Sequence, residues 1–143
     1  GDQPPVVTVD STIQNKVPLN RVLGIRWAAK DDYGIERVVL EFEVNGELKS
    51  QVLKRPVELS QSISGRIMNS PSRLGLKSGD KVKLRVVAYD NQPEPLMDGE
   101  APVSNPDPDA PIGKRGESGL IEFTVIGPKL RAKQLIESNK EFK

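Results

Sequence analysis

An alternating pattern of apolar residues is the feature that most limits how this chain can fold. Residues 21–29 carry apolar side chains at every second position from Leu23 to Ala29, and residues 37–44 and 81–89 repeat the pattern. Successive side chains of a β-strand point to opposite faces of its sheet, whereas an α-helix repeats every 3.6 residues. The alternation therefore predicts three strands that each bury one face. The residues predicted to face inward are Leu23, Ile25, Trp27, Ala29, Val38, Leu40, Phe42, Val44, Val82, Leu84, Val86 and Ala88.

Turn residues and weaker strands complete this prediction. Asn45-Gly46 is the strongest short hairpin signal in the chain, so residues 48–53 are predicted to fold back antiparallel to the strand before them. About seven short strands with turns between them and no helix in the body are typical of an antiparallel β-sandwich. The other predicted strands cover residues 6–9, 59–68 and 119–126.

The composition removes several classes of catalytic site. The 143 residues include neither cysteine nor histidine. Zinc sites of the usual kind, Ser-His-Asp and Cys-His nucleophile systems, and acid–base chemistry by imidazole all need one of these side chains. Only carboxylates, lysine, tyrosine and serine are left to do chemistry, so we expect that this protein is not an enzyme.

Proline and charge divide the chain unevenly. Residues 91–118 hold six of the twelve prolines, and residues 90–118 contain five more acidic than basic side chains. Proline stiffens an extended backbone and is unfavourable inside a helix. Residues 128–143 are instead rich in helix formers and begin with a proline, which is favourable near a helix start. We therefore predict a sandwich domain at residues 1–127 with a long, acidic, Pro-rich loop at 91–118, followed by a C-terminal helical segment or linker at 128–143.

The two ends of the chain suggest a fragment of a larger protein. Gly1-Asp2-Gln3-Pro4-Pro5 has the composition of a linker that enters a domain, and the chain stops inside the predicted helical segment. No apolar stretch approaches the roughly 20 residues that a membrane span needs. The net charge of +1 shows no overall bias toward nucleic acid.

Two acidic segments each follow a predicted strand. Asp31 and Asp32 open a predicted turn at residues 31–34, and Asp90 and Asn91 follow the strand at 81–89. In a sandwich of this kind the loops after these two strands lie at the same end. We therefore expect these side chains to converge, with Asp98 available from the long loop. We call this group, Asp31, Asp32, Asp90, Asn91 and Asp98, the acidic pole.

Two interpretations of the acidic pole stay open. Calcium takes about six to eight oxygen ligands from carboxylates, amides and carbonyls, so the pole is a candidate calcium site. Calcium is the one cofactor that the sequence suggests. Alternatively, these side chains cap turns by accepting backbone N–H groups, as Asp and Asn do in most loops.

Several motifs resemble those of fibronectin type III-like domains. Val22-Leu-Gly-Ile-Arg-Trp27, Asp31-Asp-Tyr-Gly-Ile35 and Val38-Val-Leu-Glu-Phe42 resemble the second and third strands of that family, where a core tryptophan lies on the second strand. Residues 76–88 resemble the stretch that enters the sixth strand. The tyrosine corner of the family is missing, because Val82 and Leu84 stand where a tyrosine is expected.

A second resemblance concerns the two acidic segments. Ala29-Lys-Asp-Asp-Tyr-Gly-Ile35 together with Ala88-Tyr-Asp-Asn91 is similar to Ig-like and cadherin-like modules of large bacterial cell-envelope proteins. The resemblance implies an all-β, Ig-like or fibronectin III-like antiparallel sandwich with no catalytic activity. It also implies an extracytoplasmic location, either periplasmic or at the cell surface.

From these observations we expect a structural or interaction module of an exported or envelope-anchored bacterial protein, stiffened by calcium at the acidic pole. Its partner is then a protein or polysaccharide of the cell envelope rather than nucleic acid, with a further helix-mediated contact through residues 129–143. The alternative is an accessory carbohydrate- or peptide-binding domain of an exported enzyme that uses the Pro-rich loop. A catalytic domain beside this one in the parent protein favours the alternative, whereas long helices or further sandwich modules favour the first hypothesis.

Overall fold

The computed structural model describes residues 3–91 and 113–127. These residues form eight β-strands and one turn of 3₁₀ helix at Ser72–Leu74, so the prediction of an all-β fold is confirmed. Within the same ranges no helix is long and apolar enough to cross a membrane. The strands are β1 (Val6–Ser11), β2 (Lys16–Pro18), β3 (Ile25–Val44), β4 (Glu47–Lys54), β5 (Ser60–Ile67), β6 (Lys81–Asp90), β7 (Arg115–Glu117) and β8 (Ile121–Ile126).

Strand β3 organises the fold because it pairs with four other strands. Its first part, residues 25–30, lies between β1 and β5, and its last part, residues 38–44, lies between β4 and β6. Its registers with β5 and β6 both shift near Ile35. Gly34 has a φ of +108°, a conformation that glycine adopts without a steric penalty. The strand therefore bends at residues 31–34 and passes from one set of neighbours to the other.

This bend corrects the turn predicted at residues 31–34. The chain does not reverse there, and the two predicted strands on either side are parts of one strand of 20 residues. A hairpin turn would pair the two parts with each other. Here they pair with different strands, because the bend directs the second part into another layer of the fold.

The eight strands form one hydrogen-bonded sheet, and the bend of β3 divides it into two parts that we call layers. The first layer contains β1, the first part of β3 and β5, and the second contains β4, the last part of β3, β6, β7, β8 and β2. β2 pairs with β8 in parallel, so the sheet is mixed and the prediction of a wholly antiparallel arrangement is wrong at this pair. Inward side chains of both layers form one hydrophobic cluster that includes Trp27, which is 4% exposed. All twelve residues that the alternation predicts to face inward are buried in it, which confirms the predicted core face of each strand.

The hairpin predicted at Asn45-Gly46 is confirmed and has a second role. Both residues have positive φ, 51° and 92°, as the favoured two-residue hairpin turn requires. The Asn45 Nδ2 donates to Asp80 Oδ1 at 3.0 Å, and its Oδ1 accepts the Lys81 N–H at 2.9 Å. The side chain thus ties the β3–β4 hairpin to the loop that leads into β6.

The last part of the predicted loop at 91–118 forms strand β7, which is a correction to the sequence-based prediction. Its three residues pair antiparallel with residues 87–89 of β6. So short a segment carries no periodicity, and its place depends on distant contacts. Gly116 packs so tightly that a Cβ there would lie 1.8 Å from the Pro5 carbonyl oxygen. Residues 92–112 of the loop and the helical segment predicted at 128–143 lie outside the described residues.

Candidate functional site at the acidic pole

Asp31 lies at the bend of β3 and is 8% exposed. Its Oδ2 accepts the backbone N–H of Tyr33, two residues later, at 2.9 Å, which is the geometry of an Asx-turn. Burial withdraws water from this carboxylate and raises its pKa, and the negative charge of Asp90 adds to the effect. The bend therefore holds a carboxylate whose charged form is disfavoured by its surroundings.

Asp90 ends β6 and is 1% exposed. Its Oδ1 accepts the Lys114 N–H at 2.8 Å, and its backbone N–H donates to the Lys114 carbonyl oxygen at 3.0 Å. Gly113 lies against the same residue, since a Cβ there would be 1.7 Å from the Asp90 carbonyl oxygen. Asp90 thus anchors the chain directly before β7.

The remaining residues of the acidic pole are placed less centrally. Asp32 is exposed, and its carbonyl oxygen accepts a hydrogen bond from Gln61 Nε2 at 2.7 Å, which links the bend to β5. Asn91 is half-buried and follows Asp90 at the end of β6. Asp98 lies outside the described residues.

The structure brings Asp31 and Asp90 together, and both bind backbone N–H groups. Such bonds hold a bend and a strand end in place, which is the turn-capping interpretation of the acidic pole. Among residues 3–91 and 113–127, no three Asp, Glu, His or Cys side chains form a group that could hold a metal ion. Calcium binding at the acidic pole, which also involves Asp98, stays a prediction.

A second polar cluster lies on the outer face of the second layer, where the sequence predicted no site. Arg115 donates from Nη1 and Nη2 to the two carboxylate oxygens of Glu41, at 2.5 and 2.6 Å. It also donates to Glu117 at 2.9 Å and to the Tyr89 hydroxyl at 3.0 Å. Arg85 binds the other oxygen of Glu117 at 2.9 Å. We call these five residues the arginine cluster.

The arginine cluster acts as a clamp rather than as a binding site. Its hydrogen bonds to Glu41 and Glu117 raise the pKa of Arg115, and the two arginines lower the pKa of Glu117. Most N–H donors of the Arg115 guanidinium are already used by these partners, so little is left for a ligand. The alternation predicted that Glu41 and Arg85 face outward. Arg115 lies in the predicted loop at 91–118, and nothing in the sequence indicated that it would pair with Glu41.

Comparison with known proteins adds little to this geometry. No family model matches the chain, and no curated protein is similar to it at a significant level. Among solved structures, the chain is similar to the crystal structure of the CARDB domain of the PF1109 protein from Pyrococcus furiosus in complex with di-metal ions. The identity is 13% and the TM-score 0.34, and the alignment covers 89% of this chain and 97% of that chain. So low a TM-score does not establish a shared fold, and the description of the fold therefore rests on the strand pairing itself.

Proposed function

We propose that this chain is a non-catalytic structural and interaction module with an Ig-like, fibronectin III-like sandwich fold. Immunoglobulin-type sandwiches combine strands A, B and E in one layer and C, F and G in the other. Here β1, the first part of β3 and β5 correspond in order to A, B and E, and the last part of β3, β6 and β8 to C, F and G. This match of strand order supports the assignment.

The observation that carries the proposed function is the parallel pairing of β2 with β8. Backbone hydrogen bonds join the two strands at both ends of the pair, from Leu19 N–H to Ile126 O at 2.9 Å and from Thr124 N–H to Asn15 O at 2.8 Å. β2 lies near the start of the chain and β8 near the end of the described residues. Because the two strands are parallel, a force applied before β2 and after β8 pulls them along their length in opposite directions. Their hydrogen bonds are then loaded together rather than one after another. Resistance to extension is the property that a spacer between domains needs.

The buried charges favour a structural role as well. The carboxylates of Asp31 and Asp90 bind backbone N–H groups, and Glu41 binds Arg115. A catalytic carboxylate has to reach a substrate proton or a reacting atom. These groups instead hold a bend, a strand end and strand β7 in place.

The setting of the module belongs to the same proposal. The motif resemblance supports an extracytoplasmic position in an exported or envelope-anchored bacterial protein, with a protein or polysaccharide of the envelope as partner. Calcium at the acidic pole would stiffen the bend of β3. An accessory carbohydrate- or peptide-binding domain of an exported enzyme is the alternative, and it is compatible with the same sandwich.

Force spectroscopy on a tandem repeat of this chain tests the spacer function. We expect a single cooperative unfolding event per module. Leu19→Pro removes the N–H that binds Ile126, whereas Leu19→Ala removes the side chain and keeps the N–H. The proline variant should unfold at a clearly lower force than the alanine variant. Equal forces for the two variants would show that the β2–β8 pair does not bear load, and the spacer function would be rejected.

A further inference from the structure

The outer face of the first layer is a grid of nine side chains, three from each of β1, β3 and β5. The strand registers arrange them in three rows that cross the layer. All nine residues are exposed except Ala28, which is half-buried, so nothing within residues 3–91 and 113–127 covers this face. The rows are Val6, Lys30 and Ser62; Thr8, Ala28 and Ser64; and Asp10, Arg26 and Arg66.

The middle row consists of small side chains, Thr8, Ala28 and Ser64. On the central strand β3, Ala28 lies between the long side chains of Lys30 in one outer row and Arg26 in the other. With a rise of about 3.3 Å per residue, the two outer rows are about 13 Å apart, and three strands at about 4.8 Å spacing make the middle row about 10 Å long. We call these nine residues the trough: the hydroxyl groups of Thr8 and Ser64 lie in its middle row, and cations lie in both outer rows.

The nine residues carry a net positive charge. Arg26 and Arg66 lie directly opposite each other on antiparallel strands, where like charges repel. Asp10, the one acid among the nine residues, lies opposite Arg26 on the other side and leaves three cations against one acid. In the described part of the chain no ion pair joins Arg26, Arg66 or Lys30 to a carboxylate. An anion that binds both guanidinium groups removes the repulsion between them.

A further cation borders the trough at its β5 edge. The Lys54 Nζ of β4 lies 3.3 Å from the Ser64 carbonyl oxygen. The arginine cluster on the other layer differs in this respect, since its two arginines bind Glu41 and Glu117. The outer face of the first layer therefore groups cations that form no ion pair with a described carboxylate.

We propose that the trough binds a polysaccharide that carries carboxylate groups. Guanidinium groups bind carboxylates through paired N–H donors, so Arg26 and Arg66 hold the acid groups of the polymer. The Thr8 and Ser64 hydroxyls can each donate and accept a hydrogen bond, which suits the hydroxyl groups of the sugar rings. An extended acidic peptide would gain most of its affinity from backbone bonds at a sheet edge, whereas this face offers side chains only. The inference rests on the proposed interaction module and names the class of its partner.

The test uses charge reversal of one arginine in the 143-residue chain. Arg66→Glu places an acid opposite Arg26, so the repelling pair becomes an attractive one and the fold is retained. Arg73→Glu changes the net charge equally at an exposed position of the 3₁₀ helix, outside the nine residues of the grid, and is the matched control. Affinity for alginate, a polymer of uronic acids, is measured by calorimetry, with neutral dextran and poly-glutamate as comparison polymers.

We expect the wild-type chain to bind alginate and not dextran, Arg66→Glu to bind at least about tenfold more weakly, and Arg73→Glu to stay within about twofold of the wild type. Ser64→Ala should weaken alginate binding without changing the melting temperature. Equal losses in the two charge-reversal variants, or no alginate binding by a folded wild-type chain, would overturn the proposal. Binding of poly-glutamate in preference to alginate would also overturn it and would assign an acidic peptide. These binding measurements do not report on the force at which the β2–β8 pair unfolds. The spacer function is therefore tested separately, by force spectroscopy.

Discussion

Arg115 binds both carboxylate oxygens of Glu41 across a separation of 74 residues in the chain. The pair joins β7 to the middle of the second layer, while β7 itself pairs with β6 through only three residues. Glu41 is 9% exposed, and among the described residues Arg115 is the cation that forms an ion pair with it. Strand β7 is therefore held by a side-chain contact as much as by its backbone pairing.

Removal of Arg115 should destabilise the protein by about 2 kcal/mol, because the buried Glu41 carboxylate then loses its bidentate ion pair. The value lies between those of exposed and fully buried pairs, since a third of the Arg115 side chain is in contact with water. Urea unfolding of Arg115→Ala measures it. Arg85→Ala breaks the more exposed pair with Glu117 and should cost at most about 1 kcal/mol. A loss for Arg115→Ala no larger than that for Arg85→Ala would contradict the clamp.

Gly116→Ala should destabilise the protein by about 1–3 kcal/mol, the usual range for inserting an extra methyl group into a packed site. The new Cβ would lie 1.8 Å from the Pro5 carbonyl oxygen, so β7 or the start of β1 has to move. Gly119→Ala is the control, because no atom lies within 4 Å of a Cβ placed there and its φ is not in the left-handed region. Thermal unfolding compares the two variants, and similar melting temperatures would show that β7 does not pack against Pro5.

Asp31→Asn should be at least as stable as the wild type at neutral pH, whereas Asp31→Ala should lose about 1 kcal/mol. The amide oxygen of asparagine still accepts the Tyr33 N–H, and alanine cannot replace that bond. Asparagine also removes the charge that burial and Asp90 disfavour.

The pH dependence follows from the direction of this shift. The pKa of Asp31 is raised in the folded protein, so the native state holds the proton more tightly than the unfolded chain does. Its contribution to stability therefore falls as the pH rises from the ordinary value of 3.8 through the raised pKa. The advantage of Asp31→Asn should be full at neutral pH and should vanish below that window. Urea unfolding between pH 3 and 7 checks this, and an advantage that persists at the acidic end would contradict it.

Calcium binding at the acidic pole has a direct test by thermal unfolding in EDTA and in millimolar calcium. If calcium binds only the native state, a concentration of one hundred times its dissociation constant adds about 2.7 kcal/mol and raises the melting temperature. The prediction is a rise in the wild type that both Asp31→Ala and Asp90→Ala abolish. Magnesium at the same concentration controls for ionic strength. An unchanged melting temperature in the wild type would leave the turn-capping interpretation of these carboxylates.

Much of the fold is predictable from the sequence because the signals are local. The alternation around Trp27, Leu40 and Leu84 identified the buried face of three strand segments, and all three side chains are in the core. Asn45-Gly46 identified its hairpin through the positive φ that both residues tolerate. At the acidic pole, the expectation that Asp31 and Asp90 lie near each other also followed from strand order.

Tertiary structure alone decided the rest. Strands β2 and β7 have three residues each, too few to show a period, and they exist because β8 and β6 supply hydrogen-bond partners. Whether residues 31–34 reverse the chain or bend it depended on the strands that pair with each side of Gly34. The pairing of Arg26 with Arg66 and the contact of Arg115 with Glu41 depend on register between distant strands. The sequence by itself determined which segments extend and which face of each is buried, since those properties arise within a few neighbouring residues. Only the folded structure decided which distant residues meet, because register is set by the packing of whole strands.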